Sequence, residues 1–304
     1  MRFLIETRQR RNRMRYWPSN MNPTKITIRR FLGRGSAVVA AAAIVAALVF
    51  AMIRPSQDRD WVHEHARLPW AEFEDDLVRI HDVRDFRHGA DGAVTRRYED
   101  RIYDLRWLDT LWYVLAVFDG EGWRGPAHGM FSFGFADGEY VVISIEARKE
   151  VGETYSWWRG LFKAYELIYV VGDERDLVLT RAVYRPDVVY MFPVAAAPQK
   201  IRDLLVSMLA KANALHREPE FYNTLTDNCT SRLRDHVNAI APGRIPPSWK
   251  VALPGYSDEL MESLGLLGSD LPLAEARRLY MINDRARRHA RAADFSRAIR
   301  RAAE

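Results

Sequence analysis

The feature that most constrains the fold is a pair of alternating apolar runs, AHGMFSFGFADGEYVVISIEAR, from Ala127 to Arg148. In the first run Phe131, Phe133 and Phe135 share one face, because successive side chains of a β-strand point to opposite sides. The two runs are joined through an Asp-Gly dipeptide, which is a strong hairpin signal. The stretch therefore predicts an antiparallel hairpin.

The length of that turn decides which polar side chains share a face. With a two-residue Asp-Gly turn, Ser144 points to the side opposite His128, because one step of register moves every side chain to the other face. A bulge or a longer loop shifts this parity and brings Ser144 or Glu146 to the face of His128. The sequence leaves both registers open.

The rest of the chain predicts strands first and helices later. An extended segment is expected near residues 78–86, and a further pair of apolar runs, YELIYVVGDERDLVLTRAVY, is again broken by a Gly-Asp turn. One helical stripe follows, made of Ile201, Leu204, Leu205, Met208 and Leu209. An Arg- and Ala-rich helical region begins at Leu273. This order predicts an α+β fold.

The N-terminal region holds the basic excess of the chain. The formal charge of the whole chain is +5, and residues 1–34 alone carry +9, so residues 35–304 carry −4. A slightly acidic folded part argues against nucleic acid as a partner, because affinity for nucleic acid depends on a basic surface. The next 19 residues, Gly35 to Ile53, contain no charge and predict a transmembrane helix. The positive-inside bias places residues 1–34 in the cytoplasm and the chain from Arg54 onward across the membrane. A cleaved signal peptide and a buried Ala-rich helix are the alternatives.

Cys229 is the single cysteine in 304 residues, and it follows a polar turn in FYNTLTDNCTSRLRDHV. Asp227 or Asn228 is the predicted N-cap of a helix. The apolar face of that helix comprises Cys229, Leu233, Val237 and Ile240. A lone cysteine in an exported chain indicates an intermolecular bridge or a reactive thiol, and the helix dipole predicts a lowered pKa for it. A buried core cysteine is the other interpretation.

Among the histidines, His128 is the candidate base for Cys229, because it opens an apolar strand at the edge of the core. A hydrogen-bonded structural role for it is the alternative. His236 lies roughly 10 Å from Cys229 along the helix axis, which is too far for contact. His63 and His65 resemble metal ligands but lack a third, so neither a metal nor another cofactor is predicted.

Trp157 and Trp158 in YSWWRGLF are expected to fill the core. Contact with a membrane surface is the alternative, because Trp favours the membrane interface.

Six stretches resemble one bacterial family in the same order: AHGMFSF, ISIEARKEVGETYS, YELIYVVGDERDLVLTR, FYNTLTDNCTSRL, LPGYSDELMESLGLL and FSRAIR. The family is named for the N-terminal periplasmic domain of Lnb, the lipoprotein intramolecular transacylase, and the resemblance spans residues 75–302. It implies a permuted papain-like thiol fold similar to the lecithin-retinol acyltransferase and NlpC groups. The predicted organisation is then a basic arm (1–34), a transmembrane helix (35–53), a linker with a short helix (54–74) and this domain (75–302).

The resemblance also implies the roles of individual residues. The family's catalytic cysteine and histidine carry over to Cys229 and His128. Ser144 is the match for the polar residue that orients the imidazole, with Glu146 as the second choice. Because an acyl-transfer oxyanion needs donors, the Cys229 backbone amide is expected to serve, helped by Asn228 or the Tyr222 hydroxyl. Simple packing is the alternative for Tyr222.

These expectations predict a single-pass inner-membrane protein whose periplasmic domain is a cysteine-dependent acyltransferase or hydrolase. Its partners are expected to be the inner membrane, through Gly35 to Ile53, and a lipoprotein, lipid or envelope peptide substrate. A cysteine peptidase or amidase that acts on envelope peptides is an alternative. A non-catalytic envelope binding module of the same fold is another, although the intact Cys229 and His128 argue against it.

Overall fold

A computed structural model of the chain describes residues 39–89, 92–118 and 123–301. The chain divides into two compact units, residues 1–54 and 55–304. In the first unit, residues 39–52 are helical (α1) and their side chains are exposed. None of the helices in the described ranges is long and apolar enough to span a bilayer. The predicted arm, residues 1–34, and the first part of the predicted transmembrane helix, residues 35–38, lie outside the described residues.

An eight-stranded sheet forms the centre of the second unit. The described strands, eight in this sheet and two in a separate pair, are β1 (Trp70–Glu74), β2 (Leu77–Arg84), β3 (Arg87–His88), β4 (Val94–Thr95), β5 (Tyr98–Asp104), β6 (Leu108–Val117), β7 (Ala127–Phe135), β8 (Tyr140–Arg148), β9 (Glu166–Gly172) and β10 (Val188–Pro193). Their order in the large sheet is β1-β2-β9-β8-β7-β6-β10, with β5 also paired to β2, while β3 and β4 form a separate pair. Among the described residues these pairings are antiparallel except for the short contact of β2 with β9.

Helices cover both faces of this sheet. They are α2 (Glu174–Leu179), α3 (Pro198–Arg217), α4 (Cys229–Ile240), α5 (Trp249–Ala252), α6 (Ser257–Ser263), α7 (Leu273–Tyr280), α8 (Asn283–Arg288) and α9 (Phe295–Ala298). Short 3-10 turns occur at His63–His65, Leu105–Trp107, Arg159–Leu161 and Pro254–Tyr256, and a π-helical turn at Thr180–Tyr184. The apolar stripe predicted for α3 is buried throughout. The prediction of a mixed α+β fold is confirmed.

Two apolar cores follow from the alternation along β7. Phe131, Phe133 and Phe135 lie in the core that contains the buried residues of α3 and α4. Met130 lies in the other core, with residues of α2, α8 and α9. The predicted shared face of the three phenylalanines is confirmed, and the strand is buried on both sides because helices pack against each face.

The β7–β8 turn contains three residues rather than two. The Phe135 N–H donates to the Glu139 carbonyl oxygen at 2.9 Å, which leaves residues 136–138 as the loop. Gly138 closes this loop with φ of +93°, a conformation that favours glycine and that is typical of three-residue hairpin loops.

The three-residue turn determines which side chains of β7 and β8 lie on the same face of the sheet. Met130 is paired with Ser144, and because directly opposed residues project to the same side of a sheet, Ser144 shares a face with Met130. Alternation then adds His128 and Glu146 to that face. The register of a two-residue turn is therefore wrong, and the longer-loop alternative holds.

The second run of the later apolar pair is helical instead of extended. Asp173 directly follows β9 and caps α2, where its carboxylate accepts the Asp176 N–H at 2.8 Å. The chain continues through α2 into the π-helical turn at Thr180–Tyr184. A short continuous apolar run does not distinguish a strand from a buried helix by periodicity, so the Gly-Asp pair was a cap and not a hairpin turn.

Trp157 and Trp158 do not fill the core. They are 67% and 56% exposed, and the Trp158 ring packs at 4.7 Å from that of Phe162, which is also exposed. The core-filling interpretation is wrong because Tyr165, at the end of the same loop, is the aromatic residue that is fully buried.

The buried ion pair between Arg84 of β2 and Asp176 of α2 gives a test of the fold. The guanidinium donates two hydrogen bonds of 2.9 Å to the carboxylate, and both side chains are buried. We expect Arg84→Leu to lower the free energy of unfolding by about 3–5 kcal/mol in urea titrations, because the Asp176 carboxylate would stay buried and unpaired. In the control Arg67→Leu, which breaks an exposed pair with Asp82, the loss should stay below about 1 kcal/mol. Equal losses in the two variants would contradict this assignment.

Candidate active site

A cavity of about 560 Å³ brings the predicted cysteine and histidine together, with Cys229, His128, Glu146 and Tyr222 in its lining. It opens where β7 and β8 separate. Their pairing stops at Met130 and Ser144, although each strand continues to pair with its outer neighbour. A side chain from α4 and side chains of the sheet can therefore line the same space.

The start of α4 places Cys229. Asn228 is the N-cap: its side-chain oxygen accepts the Ser231 N–H at 2.8 Å, and the Ser231 hydroxyl accepts the Asn228 N–H at 2.9 Å. The side-chain nitrogen of Asn228 donates to the Thr224 carbonyl oxygen at 2.8 Å. Both ends of the Asn228 amide are thus bonded to the backbone, so Asn228 supports the helix start that carries the cysteine.

The Cys229 thiol is buried, with 4% of the residue exposed. Burial raises the pKa of Cys229, and the Gly129 amide, the Thr230 hydrogen bonds and the charge of Arg181 offset this effect only in part. The lowered pKa expected from the helix dipole is wrong for the free protein, because desolvation of a thiolate outweighs the dipole here. The thiol is the resting form.

The imidazole of His128 is held by a chain of hydrogen bonds. Its Nε2 lies 2.7 Å from the Ser144 hydroxyl, which donates to Oε1 of Glu146 at 2.8 Å. An ionised carboxylate accepts and cannot donate, so the single Ser144 proton points to Glu146 and the histidine must donate from Nε2–H. Burial lowers the pKa of His128 to about 3, and the charge of Arg181 adds to this effect. The ring is therefore neutral at pH 7, with its lone pair on Nδ1.

Glu146 is kept ionised by two further side chains. Its Oε2 lies 3.2 Å from Nε2 of His65, and its Oε1 lies 3.6 Å from the Arg181 guanidinium. Burial alone would raise the pKa of Glu146, but the hydrogen bond from His65 and the charge of Arg181 hold it well below its ordinary value. The Nδ1 atom of His65 accepts the Lys149 N–H at 3.1 Å, so its Nε2 carries the proton that Glu146 accepts.

Sequence reasoning missed His65 and Arg181 as members of this site. His65 was considered only as a metal ligand, and the part of the chain that the structure describes contains no cluster of three or more His, Cys, Asp or Glu residues suited to a metal ion. Arg181 interrupts the apolar run DLVLTRAVY, and a buried arginine requires a carboxylate partner. The charged residue within an apolar run was therefore the sequence signal that could have identified Arg181 as a member of the site.

Tyr222 and His236 are both buried, but they have different surroundings. Tyr222 lines the cavity and packs edge-to-face on the Tyr155 ring at 6.1 Å; burial raises its pKa, and the proximity of Cys229 adds to the rise. His236 bonds to the Tyr169 hydroxyl at 2.7 Å and to the Ser207 hydroxyl at 2.8 Å, on the flank of α4. Tyr222 is thus close enough to Cys229 for the two side chains to interact electrostatically, whereas His236 is bonded to Tyr169 and Ser207 outside the cavity.

The fold and the cavity define an α+β domain in which a cysteine at a helix start meets a histidine on an antiparallel sheet. Residues 95–255, more than half of the chain, match the family described as the Lnb N-terminal periplasmic domain. The chain belongs to this family, which indicates a periplasmic location. The match includes Cys229 and His128, while His65 precedes it. No curated protein and no solved structure matches the chain.

The buried thiol predicts a specific pH dependence of alkylation. Because the folded protein holds the Cys229 proton more tightly, the iodoacetamide rate should rise with pH around a midpoint above the ordinary value of about 8.5. The same single thiol in urea is the control and should titrate near that value. A midpoint in the folded protein below the one in urea would contradict the raised pKa.

Proposed function

We propose that this protein is a membrane-anchored periplasmic acyltransferase or hydrolase that works through an acyl-enzyme on Cys229. Lipoproteins or other acylated components of the envelope are the substrates. The observation that carries the proposal is the shared cavity of Cys229 and His128, in which Ser144 and Glu146 leave Nδ1 of the histidine as the basic nitrogen. Membership of the Lnb N-terminal periplasmic domain family supports the envelope setting.

The first half of the reaction forms the acyl-enzyme. Nδ1 of His128 takes the proton of the Cys229 thiol while the sulfur attacks the carbonyl carbon of an ester, thioester or amide. The carbon–sulfur bond forms, the bond to the leaving group breaks, and His128 gives its proton to that group. Because both partners are neutral at rest, proton transfer accompanies the attack instead of preceding it.

The oxyanion of this step needs donors near the sulfur. The Cys229 amide lies in the first turn of α4, where amides have no intrahelical acceptor. The Tyr222 hydroxyl is the second donor, and the Arg181 charge favours negative charge in the same cavity. In the second half of the reaction His128 activates water, which gives a hydrolase, or an amine, which gives a transferase.

The arrangement also supports a permuted papain-like fold. The helix that begins at Cys229 packs against β7, the strand of His128, on an antiparallel sheet. The histidine precedes the cysteine in the chain by about 100 residues, which is the order expected for the permuted form.

A surface patch supports a substrate that is held in a membrane. Trp157, Trp158, Phe162 and Leu225 are exposed, and we call them the apolar patch. The Thr224 hydroxyl donates to the Trp157 carbonyl oxygen at 2.7 Å, which joins the two loops of the patch. The second loop leads directly into Cys229. With the anchor proposed for residues 35–53, the patch would hold the cavity at the lipid surface, because Trp favours the interface.

A covalent-adduct assay tests the proposed activity. Full-length protein incubated with a p-nitrophenyl acyl ester should gain one acyl mass on Cys229 in intact-protein mass spectrometry, and Cys229→Ala should gain none. His128→Ala should slow acylation by about 10²–10⁴-fold through loss of the general base. Ser144→Ala should slow it by roughly 10–150-fold, the equivalent of one hydrogen bond to a charged network.

The matched control is His236→Gln, which removes a buried histidine of the same helix that bonds outside the cavity. Its acylation rate should equal that of the unmodified protein. Absence of both a Cys229 adduct and Cys229-dependent release of p-nitrophenol from ester donors would overturn the proposal. An adduct with peptide amides and none with acyl esters would instead support the peptidase alternative.

Contact of the apolar patch with lipid is tested by tryptophan quenching. In full-length protein reconstituted into vesicles with brominated lipids, Trp157→Ser with Trp158→Ser should remove most of the bromine-dependent quenching, because these rings would lie at the bilayer interface. Trp107→Ser with Trp249→Ser is the control pair, since both rings are comparably exposed elsewhere. Equal losses in the two pairs would contradict a specific lipid contact.

A further inference from the structure

A second cavity, of about 260 Å³, runs along α4 from Thr230 to Ala241. Most of its lining is apolar and comes from the sheet and from helices α3, α4 and α6. Representative lining residues are Leu111, Leu204, Leu233, Val237, Leu260 and Met261. The predicted apolar face of α4 thus packs on the core near its start and borders this space further along, where Val237 and Ile240 are half-buried.

One end of the cavity lies beside Cys229, although the thiol itself is in the lining of the catalytic cavity. Thr230 lines the cavity, and its hydroxyl oxygen lies 3.6 Å from the Cys229 sulfur. Tyr113 lines the same end, and its hydroxyl lies where a Cβ on Gly129 would come within 2.5 Å, so this close approach requires glycine. The Gly129 amide interacts with the Cys229 sulfur, so Tyr113, Thr230 and the thiol lie close together at this end of the cavity.

Polar groups are concentrated at this inner end. The Tyr113 hydroxyl lies 2.8 Å from that of Ser257, and Thr230 stands beside them. Basic side chains line the outer end, where Lys200 donates to the Ile240 carbonyl oxygen at 2.6 Å and Arg244 donates to the Gly265 carbonyl oxygen at 3.4 Å. Between the ends, α4 rises about 16 Å from Thr230 to Ala241 at 1.5 Å per residue. A long apolar space that begins beside the sulfur matches an alkyl chain whose carbonyl group stays at the sulfur in the catalytic cavity.

We propose that this cavity holds the alkyl chain of the acyl group transferred to Cys229, and that it selects long chains over short ones. The inference rests on the proposed function and adds the substrate class, a long-chain acyl donor. The carbonyl carbon is bound to the Cys229 sulfur, and the chain passes Tyr113 and Thr230 to lie along Leu233 and Val237. Burial of each methylene favours binding of the long chain by about fourfold.

The test compares thioester donors that differ only in chain length. Acetyl, octanoyl and palmitoyl thioesters of N-acetylcysteamine each transfer their acyl group to the Cys229 sulfur and release the free thiol, which receives the cysteine proton through His128. In full-length protein, the rate of S-acylation by intact mass spectrometry should rise at least about tenfold from acetyl to palmitoyl. Equal rates at all lengths would overturn the chain site while leaving the proposed function intact.

Two matched variants locate the chain. Val237→Phe fills the cavity two turns from the thiol, and it should slow palmitoyl transfer at least about tenfold while leaving acetyl transfer unchanged. Val206→Phe is the control, because Val206 is a half-buried valine on α3 outside this cavity, and both rates should be unchanged. If Val237→Phe slows both donors equally, the cavity does not hold the chain.

A binding measurement separates this inference from the proposed chemistry. The fluorescence of cis-parinaric acid reports chain binding in full-length Cys229→Ser without any acyl transfer. Adding Val237→Phe should weaken binding of the probe at least about tenfold, and adding Val206→Phe should leave it unchanged. Because probe bound to lipid contributes equally to both variants, the difference between them reports binding to the protein. Loss of acylation with intact, Val237-dependent binding would refute only the proposed function. Binding that is insensitive to Val237→Phe would refute the chain site.

Discussion

The register between β7 and β8 is the constraint on which the rest of the site depends. The three-residue turn that ends at Gly138 pairs Met130 with Ser144, and this pairing turns His128, Ser144 and Glu146 to one face. A shift of one residue would send Ser144 to the opposite core. The hydrogen-bond chain from Nε2 of the histidine to the carboxylate could not then form.

Burial sets the resting protonation states of the candidate pair. The same enclosure that raises the pKa of Cys229 lowers that of His128, so the folded protein holds a thiol and a neutral imidazole instead of an ion pair. Glu146 stays ionised in this enclosure because His65 and Arg181 both face it. In the proposed acyl transfer, charge would therefore develop only while the carbonyl is present, where preorganised donors are most effective.

The position of α4 connects the two cavities. Its first turn is held by Asn228 and Ser231, which fix Cys229 at the wall of the catalytic cavity. Its apolar face continues for two further turns along the second cavity. The loop before it carries Leu225 of the apolar patch, so chemistry, chain binding and lipid contact would all depend on one helix.

The sequence by itself determined the elements and the principal candidates. Period-two alternation predicted the hairpin, helical spacing predicted α3, and the lone Cys229 after a capping residue marked the start of α4. Tertiary structure decided what local patterns cannot encode. The turn length selected the face of Ser144, desolvation reversed the expected pKa of Cys229, and His65 and Arg181 reached Glu146 from segments distant in the chain. Loop packing exposed Trp157 and Trp158. Each of these outcomes depends on contacts between distant segments and on the burial that those contacts produce, and both exist only in the assembled fold.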